Sequence, residues 1–216
     1  MRRVWVVVGL ALCLGGCASP QDERVRDYNE VGLTLFRQGN YAAAVDSFQA
    51  ALALQPEDAM LMYDVGQCYD RQGDGARAEE FYNKCLQRDA GHAACRTALC
   101  RLLVGQGRTD EAVKMTEAWM AREPKLAAAY AADGWLWHHE NNLPKAQSRL
   151  QQALALDPHN RDALIELAVV YEKMHRADRA VVLYERLLEQ DPHQPEVVDR
   201  LNRLQAQKVG RPKFDE

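Results

Sequence analysis

The feature that most constrains this chain is a repeat with a period of 34 residues. The aligned segments begin at Val25, Ala59, Ala93, Ala127 and Arg161. In every segment the eighth residue is Gly, Cys or Ala, and the twentieth is Ala. Small residues at fixed positions allow two helices to approach closely. The period and these positions together predict stacked helix–turn–helix units that form one domain.

A turn between the two helices of each unit is predicted at the fifteenth position. This position holds Gly in the first three units, and then Asn141 and His175. These residue types adopt the left-handed backbone conformation more readily than most, which suits a tight turn. Proline cannot continue a preceding helix, and it stands near the end of four units, at Pro56, Pro124, Pro158 and Pro192.

Bulky, small and aromatic residues also alternate in a fixed order, which in the first unit is Tyr28, Gly32, Leu35, Ala44, Phe48, Ala51 and Pro56. This order resembles the tetratricopeptide repeat. The resemblance implies an all-α fold, a right-handed α-solenoid of five helix–turn–helix repeats at 25–58, 59–92, 93–126, 127–160 and 161–194. Three residues depart from the pattern. Ala90 stands in place of a closing proline, Thr116 in place of an aromatic residue, and Trp119 in place of a small residue.

A last helix is predicted over 195–208, beyond the fifth repeat. It starts with Pro195 and carries an apolar stripe of Val197, Val198, Leu201 and Leu204. Solenoids need such a helix to cover their last apolar face. Residues 209–216 are predicted to form a tail.

The first residues of the chain predict export. Arg2 and Arg3 precede an apolar run over 4–14, which is too short to cross a bilayer as a stable helix. The following Leu-Gly-Gly-Cys at 14–17 resembles the lipobox of bacterial lipoproteins. That resemblance implies a signal peptide over 1–16, a lipidated Cys17 and a polar lipid-attached tether over 17–24.

An ordinary secretory signal cleaved after Ala18 is the alternative, and both interpretations place the mature chain outside the cytoplasm. Ala18 stands where an aspartate would resemble an inner-membrane retention signal. The expected location is therefore the bacterial cell envelope, lipid-anchored in the outer membrane and facing the periplasm.

Charge restricts the partners. Without Arg2 and Arg3 the 27 basic residues fall to 25 against 31 acidic ones, a net charge of −6. Nucleic acid and anionic lipid headgroups are therefore not expected as partners. The lipid membrane is expected to be reached through the lipidated cysteine alone.

The cysteines leave two interpretations open. Cys68, Cys85, Cys95 and Cys100 remain after the signal and Cys17 are set aside, which allows three full pairings. Cys85 and Cys95 flank a predicted helix–helix connection and are the best candidates for a disulfide. Alternatively, all four pack as small apolar side chains.

Catalytic motifs are missing from the sequence. It has no nucleophile elbow, phosphate-binding glycine loop, H-E-x-x-H helix or C-x-x-C pair. His138, His139 and Glu140 are adjacent, so their side chains point in different directions around a helix. We therefore expect no enzyme, no metal site, no cofactor and no small-molecule substrate.

The concave face is the predicted partner-binding site, because tetratricopeptide arrays bind there through the first helix of each repeat. The residues predicted to form this groove are Leu33, Phe36, Met60, Tyr63, Gln67, Arg71, Ala98, Arg101, Ala128, Ala131, Ala132, Trp135, His138, Glu166 and Val169. Trp135 could anchor a partner's helix or extended segment. Alternatively, Trp135 packs against a neighbouring helix or the C-terminal cap, and the alanines only permit tight helix stacking. The basic clamp by which chaperone-binding members hold a carboxylate is missing, since Asn29, Leu33, Asp64, Ala94 and Ala98 occupy those positions.

Repeats and lipobox together resemble the tetratricopeptide lipoproteins of bacterial envelopes, including pilus-assembly lipoproteins. The resemblance implies a non-enzymatic adaptor that binds a protein or peptide in its groove, in pilus or secretion-system assembly. An adaptor for cell-wall enzymes is an alternative, and a hydrolase or thiol enzyme with an unrecognised site is the alternative of another class.

Overall fold

The computed structural model describes residues 19–206, which form eleven α-helices and no strand. The helices are α1 (Pro20–Arg37), α2 (Tyr41–Leu54), α3 (Ala59–Arg71), α4 (Gly75–Arg88), α5 (Ala93–Gly105), α6 (Thr109–Arg122), α7 (Ala127–His139), α8 (Leu143–Leu156), α9 (Arg161–Lys173), α10 (Ala177–Gln190) and α11 (Pro195–Ala206). Each predicted repeat contains one pair of these helices. The all-α solenoid with a final helix is thereby confirmed.

The turn inside each unit has the predicted left-handed backbone. Gly39, Gly73 and Gly107 have φ angles of 77–78°. Asn141 and His175 take φ angles of 57° and 58° at the same position. The fifteenth position therefore reverses the chain in all five units.

The small eighth residue allows the two helices of a unit to touch. A Cβ atom added to Gly32 would lie 2.5 Å from the ring of Phe48, and one added to Gly134 would lie 2.5 Å from Leu150. No real side chain fits at such a distance, so glycine is required in these two units. Cys100 and Ala168, at the same position of other units, are fully buried.

Buried polar contacts replace the missing aromatic residue of the third unit. Thr116 is buried, and its hydroxyl donates to Oδ1 of the buried Asp133 at 2.9 Å. The other oxygen of Asp133 accepts from Nε1 of Trp137 at 3.1 Å and pairs with Nε of Arg149 at 2.9 Å. Helices α6, α7 and α8 are thus tied together where the family pattern would place an aromatic ring.

The first helix begins before the predicted repeat. Helix α1 starts at Pro20, so it includes residues 20–24 of the segment predicted as a lipid-attached tether over 17–24. Ser19 and Asp22 form a capping box: Oγ of Ser19 accepts from the backbone N–H of Asp22, and Oδ2 of Asp22 accepts from that of Ser19, both at 3.1 Å. Proline at the first helical position favours this start.

The final helix α11 covers the end of the stack through Val197, Leu201 and Leu204, which are buried against the core of α9 and α10. The structure describes α11 as far as Ala206. Residues 207–208 of the predicted helix and the predicted tail 209–216 therefore lie outside the described residues. The predicted signal peptide 1–16 and Cys17 lie outside them as well. Within 19–206, none of the helices combines the length and apolar character needed to cross a membrane.

Candidate functional site: the groove of the first helices

The first helices α1, α3, α5, α7 and α9 line one face of the stack, here called the groove. A cavity of about 360 Å³ opens there between α3 and α5. Helix α5 packs closely on α7, and α7 on α9, whereas α3 makes few close approaches to α5. The cavity is lined by Tyr63, Gln67, Asp70, Ala93, Ala94, Thr97, Ala98, Arg101, Ala128 and Asp162.

A narrower cavity of about 30 Å³ continues along the groove toward α9. It shares Thr97, Arg101, Ala128 and Asp162 with the wide cavity. The remaining lining residues are Ala131, Ala132, Trp135, Asn160 and Glu166. The two spaces therefore form one continuous depression across α3, α5, α7 and α9.

Most of the predicted groove residues meet in this depression. They are Tyr63, Gln67, Ala98, Arg101, Ala128, Ala131, Ala132, Trp135 and Glu166. Six others line neither cavity: Leu33, Phe36, Met60, Arg71, His138 and Val169. Among these, Leu33 and Met60 are large apolar side chains with 40% and 53% of their surface exposed.

Three predicted contact residues are buried parts of the wall. Ala98, Ala131 and Ala132 retain 8%, 6% and 3% exposure. Ala132 packs with Trp119, Met120 and Ala129, because the large Trp119 of the third unit fills the space beneath it. These alanines set the depth of the groove and offer a partner little surface.

Trp135 lies between the core and the narrow cavity. Its half-buried ring packs against the core, and it also borders the narrow cavity. The guanidinium carbon of Arg101 lies 5.3 Å from the ring centroid, and the ring of His139 is centred 5.3 Å away. The indole thus makes a cation–π contact with Arg101, which lines both cavities.

Three polar lining residues of the wide cavity were not among the predicted contact residues: Asp70, Thr97 and Asp162. Each stands at a first-helix position of the same register as the predicted residues. That register alone places them on the concave face, although the set of predicted contact residues did not include them.

Two aspartates of α3 carry raised pKa values. Burial and the nearby negative charge of Asp58 raise the pKa of Asp64 to about 6. Asp64 receives no hydrogen bond and no ion pair from the residues that the structure describes. Burial also raises the pKa of Asp70, although the hydroxyl of Tyr82 donates to its carboxylate at 3.5 Å.

Farther along the groove one carboxylate has a partner. Oε2 of Glu166 lies 3.0 Å from Nδ1 of His138. This contact joins α9 to α7, and both side chains are largely covered. The predicted groove residue His138 therefore positions Glu166 at the narrow cavity.

The described cysteines are all buried free thiols, so the disulfide considered for Cys85 and Cys95 is not formed in the structure. The thiol of Cys95 donates to the carbonyl oxygen of Tyr82 at 3.3 Å. Its hydrogen bond with the thiol of Cys85, followed by burial, raises the pKa of Cys95. The two cysteines are neighbours across the α4–α5 connection, as their spacing predicted.

Two of the buried thiols are poor nucleophiles. Burial raises the pKa of Cys68 and of Cys100 to about 12, which keeps these thiols protonated and poorly nucleophilic at neutral pH. Within 19–206 no three or more His, Cys, Asp and Glu side chains are grouped as a metal site would require. What the depression can do is accept a side chain or a short chain segment.

Sequence profiles of one family match most of the chain. Two profiles described as tetratricopeptide repeat match residues 32–93 and residues 71–132 and 138–207. A curated relative, cellulose synthase operon protein C of Pseudomonas fluorescens (strain SBW25), is 31% identical over 79% of the chain but only 14% of its own length. The chain spans between 14% and 30% of the first curated relatives it matches.

Solved structures show the same fold. A thermophilic tetratricopeptide repeat protein of Thermus thermophilus superposes with a TM-score of 0.71 at 23% identity, covering 84% of this chain and 99% of that one. PilF of Pseudomonas aeruginosa superposes with a TM-score of 0.58 at 19% identity, covering 87% and 91%. At these identities the likeness establishes the fold alone.

Proposed function

Because the chain belongs to the tetratricopeptide repeat family, we propose that it is a non-enzymatic scaffold whose groove binds a segment of another protein in the bacterial envelope. Solenoids of this repeat generally serve as protein-binding scaffolds. The observation that carries the proposal is the open cavity of about 360 Å³ between α3 and α5. The wall of this cavity combines the aromatic ring of Tyr63 with exposed polar groups. Such a mixed wall suits the binding of a protein segment.

The groove can be blocked without disturbing the core. Ala94 lines the wide cavity and is exposed, so Ala94→Trp places an indole in the open space. Ala118→Trp is the matched control, because Ala118 is exposed on α6, a second helix outside the groove. Both variants are expected to fold normally, since neither replaces a buried residue.

Crosslinking in intact cells, followed by purification and mass spectrometry, tests the proposal. We expect a protein captured by the wild type to be lost with Ala94→Trp and retained with Ala118→Trp at equal protein levels. Retention of every partner by both variants contradicts binding in the groove.

Attachment to the envelope is the second part of the proposal. It rests on the Leu-Gly-Gly-Cys sequence at 14–17, whose resemblance to a lipobox implies lipid on Cys17. We place the lipid-anchored protein at the outer membrane, so the wild type should be recovered in the membrane fraction. Cys17→Ser is expected to move it to the soluble periplasmic fraction. Unchanged sedimentation with membranes argues against lipid anchoring.

We further propose pilus or secretion-system assembly as the pathway, on the resemblance to envelope lipoproteins of that kind. The structural likeness to PilF agrees with this choice but concerns the fold alone. Partners recovered with the wild type and lost with Ala94→Trp should then be pilus or secretion components. Recovery of cell-wall enzymes in their place would support the alternative adaptor role.

A further inference from the structure

Building on the proposed function, in which lipid is attached to Cys17, we infer that one edge of the solenoid lies against the phospholipid membrane. This edge, here called the anchor edge, consists of Ser19 before α1 and of the connections 55–58 after α2 and 89–92 after α4. Such an orientation follows from the short chain before α1 and from the contacts along this edge.

Little chain separates Cys17 from the folded body. Ser19 is the N-cap of α1, and it follows Cys17 by two residues. The capping box with Asp22 fixes the first turn of the helix at this point. Two residues of chain span at most about 7 Å. Lipid on Cys17 would therefore hold the start of α1 at the bilayer surface.

The end of α2 lies beside the start of α1. Nε2 of Gln21 donates to the carbonyl oxygen of Leu54 at 2.7 Å, and Nε2 of Gln55 donates to Oδ1 of Asp22 at 3.2 Å. Leu54 is the last residue of α2, and Gln55 begins the connection 55–58. This connection is therefore held level with the start of α1.

The second unit continues the same edge. The guanidinium group of Arg88, at the end of α4, pairs with the carboxylate of Glu57 in the connection 55–58. Ala90 lies in the connection 89–92, and its carbonyl oxygen accepts from Arg122, the last residue of α6, at 2.9 Å. The ends of α2, α4 and α6 thus lie along one side of the stack, and the ends of α2 and α4 lie nearest to the start of α1.

The turns inside the units lie at the opposite edge. Gly39 reverses the chain between α1 and α2, and Gly73 between α3 and α4. Helices α2 and α4 have 14 residues each, which corresponds to about 21 Å along the helix axis. The turns should therefore lie farther from the bilayer than the anchor edge by about the length of one helix.

Both signs of charge occur along the anchor edge. Arg88 is paired with Glu57, and Arg122 is paired with Glu123 at 3.0 Å. These arginines already have counter-charges, so attraction to anionic headgroups is not needed to explain the orientation. We therefore expect the attached lipid to hold this edge on neutral phospholipid as well.

The orientation also brings the groove close to the membrane. Ala93 and Ala94 form the start of α5, directly after the connection 89–92, and both line the wide cavity. Helix α5 has 13 residues, so a partner segment bound in this cavity would lie within about 20 Å of the anchor edge.

A fluorophore at either end of one helix tests the orientation. Ala53 lies near the end of α2 at the anchor edge, and Ala42 lies near its beginning at the opposite edge; both are exposed. Because the described native cysteines are buried, a thiol-reactive fluorophore should label Ala53→Cys or Ala42→Cys selectively. The full chain, lipidated in cells, is reconstituted in phosphatidylcholine vesicles whose headgroups carry a nitroxide. We expect a greater loss of fluorescence at position 53 than at position 42, because a nitroxide quenches only at short range.

A second pair of positions guards against a local effect of the label. Ala90→Cys lies in the connection 89–92, and Ala76→Cys lies in the first turn of α4 at the opposite edge; both alanines are exposed. All four variants should fold normally, since none replaces a buried residue, and circular dichroism checks this. The loss of fluorescence should again be greater at the anchor edge, at position 90.

The outcomes separate the orientation from lipid anchoring itself. A chain that does not float with the vesicles contradicts the lipid anchor and the orientation together. Flotation with equal quenching at both ends of the helices, or with greater quenching at positions 42 and 76, overturns the orientation and leaves the lipid anchor intact. Cys17→Ser with the same labels is the control and should neither float nor be quenched. If it floats and is quenched like the lipidated chain, the lipid does not hold this edge and the inference is wrong.

Discussion

Asp64 holds a carboxyl group in the groove without a donor from any residue in 19–206. Its pKa is about 6 in the folded chain, above the ordinary value of 3.8. The folded state therefore prefers the protonated form, and ionisation destabilises the fold as the pH rises from about 4 through 6.

Asp64→Asn should accordingly stabilise the chain at high pH. We expect Tm to rise by about 2–4 °C at pH 8, for about 1 kcal/mol after allowance for the partial exposure of Asp64. Near pH 4 the gain should disappear, because the carboxyl group of the wild type is then largely protonated. Thermal unfolding, monitored by circular dichroism at pH 4 and at pH 8, measures the Tm of the wild type and of Asp64→Asn. An equal gain at pH 4 and pH 8 would show that charge is not the cause.

At the scale of the elements, Asp133 connects three helices. It accepts hydrogen bonds from Thr116 of α6 and Trp137 of α7 and pairs with Arg149 of α8. Removal of this carboxylate leaves the Trp137 indole N–H without its acceptor. The Thr116 hydroxyl and the Arg149 guanidinium group each lose one acceptor and keep another, the carbonyl oxygen of Val113 and Oε1 of Gln152. The link therefore holds the third and fourth units together.

Asp133→Ala is expected to lower the free energy of unfolding by about 3–5 kcal/mol, as for a broken buried ion pair. Urea unfolding measures the loss, and Asp46→Ala at the exposed position of α2 is the control with an expected change within about 0.5 kcal/mol. A loss for Asp133→Ala no larger than that of the control would mean that the link does not stabilise the fold.

The elements also show what the sequence could predict. Period, small residues and turn residues predicted every helix pair, because each is a local requirement of close helix packing. The start of α1 was also readable from the capping box of Ser19 and Asp22, although the segment 17–24 was interpreted as a tether. The roles of Ala132 and Asp133 could not be read, since both depend on how Trp119 and Thr116 of the preceding unit are accommodated.

For the whole molecule, each unit is expected to depend for its stability on packing against the neighbouring units, as in other solenoids. Helix α11 contacts α10 and covers the last apolar face with Val197, Leu201 and Leu204. Weakening this cap should loosen the adjacent units first and leave the distant α1–α4 region intact.

Leu201→Ala is expected to cost about 2–5 kcal/mol locally. Hydrogen exchange measured by mass spectrometry should show lost protection in α9–α11 and unchanged protection in α1–α4. Asn202→Ala, at the exposed neighbouring position, should change neither. An equal loss of protection along the whole chain would show that it unfolds as a single cooperative unit.

The most direct test of groove binding is a photo-crosslinking amino acid placed at Thr97, which lines both cavities, and separately at Ala118 on α6. In living cells we expect illumination to join position 97 to one partner protein through a discrete segment, and position 118 to nothing specific. Partner crosslinks at position 118, with none at position 97, would contradict the account.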